Sequence, residues 1–401
     1  MASYLMGIDN GLTVSKAAIL DLEGREVAVQ GHKVEMNYPR PAWVERDSEI
    51  VWQTTAAAIR EVIEKAGIDN RDIVGVGNSA HGNGIYLVDK AGAPLGPSVT
   101  SMDNRASDII DEWFRPGGVH DQNFAMVLTN TFAAQPAALL AWFKRHRPEV
   151  WSRIGHAFPC KDYIKYRLTG TVTSDYTDMS GSSLYDSRNR RFSPELLDLY
   201  GIGDILPALP EPIESHDIAG RVTREAAAVT GLAEGTPVAG GMFDIDAAAV
   251  GAGVIDEGML SIVAGTWSIN QVVLRQPVVD SRIFMCTIFA VPDLWLVAEH
   301  GVLFGYAYAG LWRERHAYRF AVESTVYVAH DAGVRGIGAA LYSSLFDMLR
   351  KAGYHTVLGV IALPNAASIA LHEKFGMRQV AHFREVGFKF GKWHDVGNWQ
   401  V

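Results

Sequence analysis

Cysteine is almost missing. Cys160 and Cys286 are the only two in 401 residues. That excludes a disulfide framework and makes a reducing, cytoplasmic setting the expected one. No apolar run suits a membrane span: the uncharged stretch 352–370 contains Pro364 and Asn365 and reads as strand, turn and helix. The opening residues Met1 to Met6 lack a basic region and a cleavable apolar stretch, so no secretory leader is expected. Neither disorder nor a fibrous chain fits, because 48% of residues are hydrophobic, only 20% are charged, and glycine and proline are scattered. A net charge of −9 argues against nucleic-acid or anionic-membrane partners. No internal repeat or low-complexity segment is present.

What is there divides in two. Residues 301–401 carry a net charge of +4 and the first 300 residues −13. Six of the 13 histidines fall in the last 101 residues. The asymmetry suggests two parts with different histories or partners. Alternating strand and helix patterns place residues 1–290 in the α/β class. Residues 301–401 read as a compact α+β unit.

In the first part, Asp9 ends an apolar strand and precedes Gly11 and Thr13 in a tight turn. Glycine lets backbone N–H groups approach an anion, and a carboxylate can hold Mg²⁺ through water. Gly265 and Thr266 follow a later strand and suit a second phosphate loop. Each alone reads equally as an ordinary hairpin turn. Asp244 follows Gly240-Gly241 at a strand end and precedes a helix. There it suits a base taking a hydroxyl proton during phosphoryl transfer, or a helix N-cap.

Several segments then fall into one order. They are Met6-Gly7-Ile8-Asp9-Asn10-Gly11, Ala42 to Asp47, Asn78 to Gly84, Met102-Asp103-Asn104-Arg105-Ala106, Lys161-Asp162-Tyr163, Gly240 to Gly253 and Ala264-Gly265-Thr266-Trp267. With these, residues 1 to about 298 resemble the FGGY carbohydrate kinases, the xylulose and L-xylulose kinase branch in particular. The resemblance implies an actin-like (ribonuclease-H-like) α/β fold: an N-terminal sugar-binding domain over 1–240 and the start of an ATP domain over 241–298. It implies Asp244 as base on the sugar hydroxyl and Asp103 and His81 in the sugar pocket. It also implies Asp9, Gly11 and Thr13 facing Mg²⁺ and the ATP phosphates, with Gly265 and Thr266 opposite. Leu12 and Ile245 depart from the family pattern, and nothing after Val291 resembles the second half of its ATP domain.

In the last part, Gly333 to Gly338 follows a strand and opens a helix, an arrangement suited to a pyrophosphate or, more commonly, to a plain Gly-rich left-handed turn. Glu323 lies in a strand, where it suits a base or a solvent-facing residue; His372 reads as a satisfied core histidine. The segments Gly305 to Gly310, Val322 to Val328, Arg335 to Gly338, Pro364 to Ser368, Leu371 to Gly376 and Gly387 to Asp395 resemble GNAT N-acetyltransferases of the phosphinothricin/methionine sulfone type. This resemblance covers about 299–401 and implies a partial GNAT fold without its N-terminal part. It implies acetyl-CoA along the strand ending at Val328, its pyrophosphate on Arg335, Gly336 and Gly338, and Asn365 and Ser368 near the pantetheine. Glu323 would deprotonate a small amine.

The seam is expected between about Pro292 and Gly301. A sheet cut there leaves unpaired edges, so the two fragments must repair each other or be covered by a homodimer. Three functional readings stand: a ketopentose kinase impaired by truncation, an acetyl-CoA-dependent N-acetyltransferase, and a non-catalytic or artificial fusion.

Overall fold

The computed structural model describes residues 3–264, 268–299, 305–313, 315–328, 336–389 and 391–401. The chain divides into two compact units, Met1–His300 and Gly301–Val401. Among the described residues, no helix is long and apolar enough to cross a membrane.

The first unit is built on a seven-stranded sheet. Tyr4–Asn10, Val14–Asp21 and Glu26–Lys33 form an antiparallel meander, while Tyr4–Asn10 also pairs in parallel with Ile73–Ala80. Pro237–Ala239 and Met242–Phe243 both pair in parallel with Ile73–Ala80. Strand alternation turns Met6, Ile8, Ala17 and Ile19 inward. Helix Ser48–Ala66 covers this face with Val51, Ile59 and Val62. Local chemistry sets its ends: Asp47 Oδ1 accepts from the N–H groups of Glu49 (2.9 Å) and Ile50 (3.0 Å), and Gly67 stops the helix at φ 63°. A second core gathers around helix Pro136–His146. A four-stranded antiparallel sheet, in the order Leu260–Ala264, Ser268–Leu274, Trp295–Glu299, Met285–Ile288, completes the unit.

The second unit is a five-stranded sheet in the order Gly305–Leu311, Ala321–Val328, Thr356–Leu363, Lys392–Gln400, Arg378–Lys389. Helices Ile337–Lys351 and Ala366–Lys374 accompany it; Tyr342, Leu345 and Phe346 of the first are buried with Val322, Ile361 and Trp399. The parallel pair Ala321–Val328 and Thr356–Leu363 is hydrogen-bonded only from Ala321↔Thr356 to Ser324↔Gly359, although both strands run on. They therefore splay beyond that point and leave backbone groups open between them.

His372 closes the apex of the splay. Its Nδ1 donates to Ser368 O (2.7 Å), which leaves Nε2 to accept from the Tyr342 hydroxyl (2.9 Å). This is the satisfied core histidine the sequence suggests. A Cβ on Gly359 would overlap the His372 ring. Gly359→Ala is therefore expected to destabilise the second unit by about 1–3 kcal/mol through overpacking, read as a lower denaturant midpoint; an unchanged midpoint would show that the ring moves freely.

Candidate functional site

Three parallel strands of the first unit end together. Asn10 lies opposite Ala80, and Ala80 opposite Phe243. Side chains at the carboxyl ends of such strands converge on one crevice. Asp9 stands one residue before the end of its strand, and Asp244 one residue beyond the end of another. The helix that follows spans Asp244–Gly251, so Asp244 opens it rather than preceding it, and its N-cap is Phe243 with no side-chain cap. Asp244 is thus not a capping side chain.

Asp244 is half-buried. Burial, then the charge of Asp9, pushes its carboxyl up to about 7, opposed only by backbone hydrogen bonds. Burial also raises the Asp9 carboxyl, against the pull of Lys16 and of Ser79, whose hydroxyl donates to Asp9 Oδ1 at 3.3 Å. Two carboxyls that discourage each other's ionisation suit a proton acceptor beside a cation site.

Gly11 and Thr13 lie in the turn between the first two strands, Thr13 exposed. Arg46 secures this turn from within: it is fully buried, and its Nη1 donates to Gly11 O (3.0 Å) and Leu12 O (3.3 Å). His81 follows the strand end, its N–H bonded to Asn10 O at 3.0 Å. Burial, then the Arg46 charge, pushes His81 down to about 3, so it is neutral. Its Nδ1 faces Gly82 O at 3.3 Å, which assigns the proton to Nδ1 and leaves the buried Nε2 an acceptor with no partner among the described residues.

Asp103 is buried and already occupied. Its carboxylate accepts from Val44 N (2.7 Å), Arg105 N (2.8 Å), Arg105 Nε (2.9 Å) and Arg105 Nη2 (2.9 Å). That fills the acceptor capacity of a carboxylate. Asp103 clamps the 42–46 loop rather than presenting a free oxygen.

Beneath Asp244 lies a charged cluster that sequence reasoning missed. Lys161 Nζ is 2.5 Å from Asp162, 2.9 Å from Asp175 and 3.3 Å from Asp178, all buried. Lys165 Nζ is 2.9 Å from Asp162 and donates to Gly240 O at 3.0 Å. Burial foremost pushes Asp178 up to about 8. Asp246 is also raised, by burial and then by the Asp175 charge. Lys161 and Lys165 thus stand among buried carboxyls, two of which burial pushes toward the protonated form. The sequence carries no local sign of this cluster: Lys161, Asp162 and Lys165 lie on a buried face of helix Cys160–Thr169.

Phe243 fixes the approach to Asp244 by packing where Gly82 has no side chain; a Cβ there would overlap its ring. Gly82→Ala is expected to cost about 1–3 kcal/mol by overpacking and to displace Asp244. A thermal melt and sugar binding by calorimetry read both effects, and wild-type values in both would refute the clamp.

In the second unit Glu323 is half-buried, opposite Gly310 and Leu358. Val328 ends its strand beyond the splay and is 44% exposed. Gly336, at φ 103°, precedes helix Ile337–Lys351, and Gly338 lies in the first turn of that helix. Asn365 caps helix Ala366–Lys374, its Oδ1 accepting from Ser368 N at 3.0 Å. Gly265, Thr266 and Arg335 lie outside the described residues.

Comparison with known proteins places both units. The N-terminal domain of the FGGY family of carbohydrate kinases matches residues 4–251, and the acetyltransferase (GNAT) domain matches residues 290–397. The L-xylulose/3-keto-L-gulonate kinase of Escherichia coli is 38% identical over 275 residues, 69% of this chain and 55% of that protein. A probable L-xylulose kinase of Pasteurella multocida is 37% identical over 267 residues, 67% of this chain and 55% of that protein. The crystal structure of a xylulose kinase from Rhodospirillum rubrum superposes with a TM-score of 0.69 at 28% identity, covering 74% of this chain and 60% of that one. The chain thus spans 55% of the length of these curated relatives. Over residues 4–251 the chain belongs to the FGGY family of carbohydrate kinases, and a GNAT acetyltransferase domain follows in the same sequence.

Proposed function

We propose that the first unit binds a ketopentose and transfers the γ-phosphate of ATP to one of its hydroxyls, with Asp244 as the base. The observation that carries this is the pairing of Asp244 and Asp9 at the ends of parallel strands, with Asp244 pushed up to about 7. A base poised near working pH is the form general-base catalysis favours. The attacking hydroxyl gives its proton to Asp244 as its oxygen bonds to phosphorus, and ADP leaves. His81 Nε2 accepts a hydrogen bond from another hydroxyl of the sugar. Asp103 acts indirectly, by holding the loop beside the pocket. Gly11 and Thr13 face the phosphates.

A divalent cation fits the donors present: Asp9 takes one hydroxyl bond, and a cation beside it relieves the repulsion between Asp9 and Asp244. Mg²⁺ would supply charge neutralisation at the transferred phosphate. The reading divides the chain into a sugar domain over 1–240, the opening of an ATP domain over 241–298 and an acetyltransferase domain over 299–401. Phosphoryl transfer depends on positioning, so a partial ATP domain implies slow turnover. L-xylulose is the first sugar to test, with D-xylulose beside it, by ATP-dependent ADP release. No turnover with either refutes the reading.

A second reading concerns the second unit. The splay beyond Ser324 and Gly359 opens backbone groups to a ligand, and it supports acetyl-CoA binding along the strand ending at Val328. Arg335, Gly336 and Gly338 take the pyrophosphate, Asn365 and Ser368 lie near the pantetheine, and Glu323 deprotonates a small amine. Calorimetry with acetyl-CoA tests this; no heat of binding rejects it.

A further inference from the structure

The turn that delivers Asp244 is also held through its backbone. Phe243 N donates to Thr177 Oγ1 at 2.8 Å. The Thr177 hydroxyl has a single proton, and it goes to Asp175 Oδ2 at 2.7 Å. The lone pairs of Oγ1 are therefore left for Phe243, and the direction of this chain of bonds is fixed. Asp175 is itself immobilised: Oδ2 also accepts from the Ser215 hydroxyl (2.7 Å) and from Thr177 N (3.1 Å), while Oδ1 faces Lys161 Nζ at 2.9 Å. The same cluster grips the turn one step earlier, where Lys165 Nζ donates to Gly240 O (3.0 Å) and Gly241 N donates to Ser215 O (3.0 Å).

We propose that Thr177 is a positioning residue for Asp244, its hydroxyl coupling the backbone just before Asp244 to the buried Lys161–Asp175 ion cluster. The proposal rests on the reading of Asp244 as base. Phe243 is the non-helical residue before the helix, at φ −55° and ψ 145°, so its N–H points away from the helix and needs a partner outside it. Thr177 and Asp175 are fully buried, so water does not replace that partner. The Phe243 ring packs against Gly82 and Gly181 and its strand pairs with Ala80, which fix the side chain and the strand while the buried N–H still needs an acceptor. Thr177 supplies that acceptor, and a bond chain ending on a carboxylate is stronger than one between neutral groups. A catalytic carboxylate displaced by about 1 Å loses on the order of 100-fold in rate.

The test compares Thr177→Val, Thr177→Ser and Asp244→Asn in the whole chain, with L-xylulose and ATP. Thr177→Val keeps the shape but loses the acceptor; kcat is expected to fall toward about 100-fold with KM little changed. Thr177→Ser restores the hydroxyl and returns kcat close to wild type. A Thr177→Val protein with a lowered Tm and wild-type kcat is merely destabilised, which overturns the proposal. An Asp244→Asn protein with wild-type kcat overturns the base reading instead. Should Thr177→Val fail to fold, Ser215→Ala removes a donor from the same Asp175 oxygen without touching Phe243; an unchanged kcat there also overturns the coupling. Should the wild-type chain turn over no ketose, the base reading fails, and hydrogen exchange at the Phe243 amide decides the coupling. Slow exchange in wild type and Thr177→Ser but not in Thr177→Val supports it; equal exchange in all three overturns it.

Discussion

Asp244→Asn is expected to lower ketose phosphorylation on the order of 1,000-fold while leaving sugar affinity nearly unchanged. The amide keeps the size of the carboxyl and loses only the capacity to take a proton. In the wild-type chain the rate should rise with pH and level off above about 7, where Asp244 loses its proton; burial, then the charge of Asp9, sets that midpoint. The same shift has a stability consequence of definite sign. A carboxyl raised from its ordinary 3.8 contributes stability that is full below that value and is lost as pH rises through about 7. Asp244→Asn cannot ionise, so it should melt above the wild type at pH 8 and level with it at pH 4. Rates within tenfold of wild type, or a melting advantage at acid pH instead, would rule out a buried carboxyl acting as base.

What the sequence revealed about this site depended on how local each signal was. Helix Ser48–Ala66 rests on signals that all lie within or beside the segment: the Asp47 cap, the apolar spacing and the terminal Gly67. Asp9 and Asp244 were singled out only by the resemblance, since by position alone each reads as a turn or a cap. The Lys161 cluster was not, because its members are brought together from Cys160–Thr169, Thr173–Asp175 and Tyr176–Gly181. Lysines and aspartates three or four apart on a helix read as a solvated face, and nothing local says that this helix is covered. Asp103 shows the converse. The resemblance implied a sugar ligand there, while in the fold Arg105, two residues on, hydrogen-bonds its carboxylate. That choice is set by the fold of the 42–46 loop, which no spacing encodes.

Lys161→Met should be among the most destabilising substitutions in the first unit, by about 3–5 kcal/mol. Methionine nearly conserves the volume, so the loss comes from charge. Lys161 is fully buried; burial pulls its ammonium down, yet Asp162, Asp175 and Asp178 outweigh that and hold it above its ordinary value. Burial likewise works to raise Asp162, and Lys161 and Lys165 together keep it below its ordinary 3.8. Without Lys161 those carboxylates stay buried with a single ammonium, Lys165, among them. Asp162 then loses Lys161, the foremost of the groups holding it low, so the stability its lowered pKa contributes above 3.8 in the wild type is lost in the variant as pH climbs. The gap between variant and wild type should therefore widen from pH 4 to pH 8 in urea denaturation. Asp175→Asn in the same chain removes one of the stranded charges, and the double variant should be less destabilised than the two single losses added together, by about 1–3 kcal/mol. Additive losses, or a gap that stays constant with pH, would mean that Lys161 stabilises the fold through packing alone and that the cluster carries no net charge for it to balance.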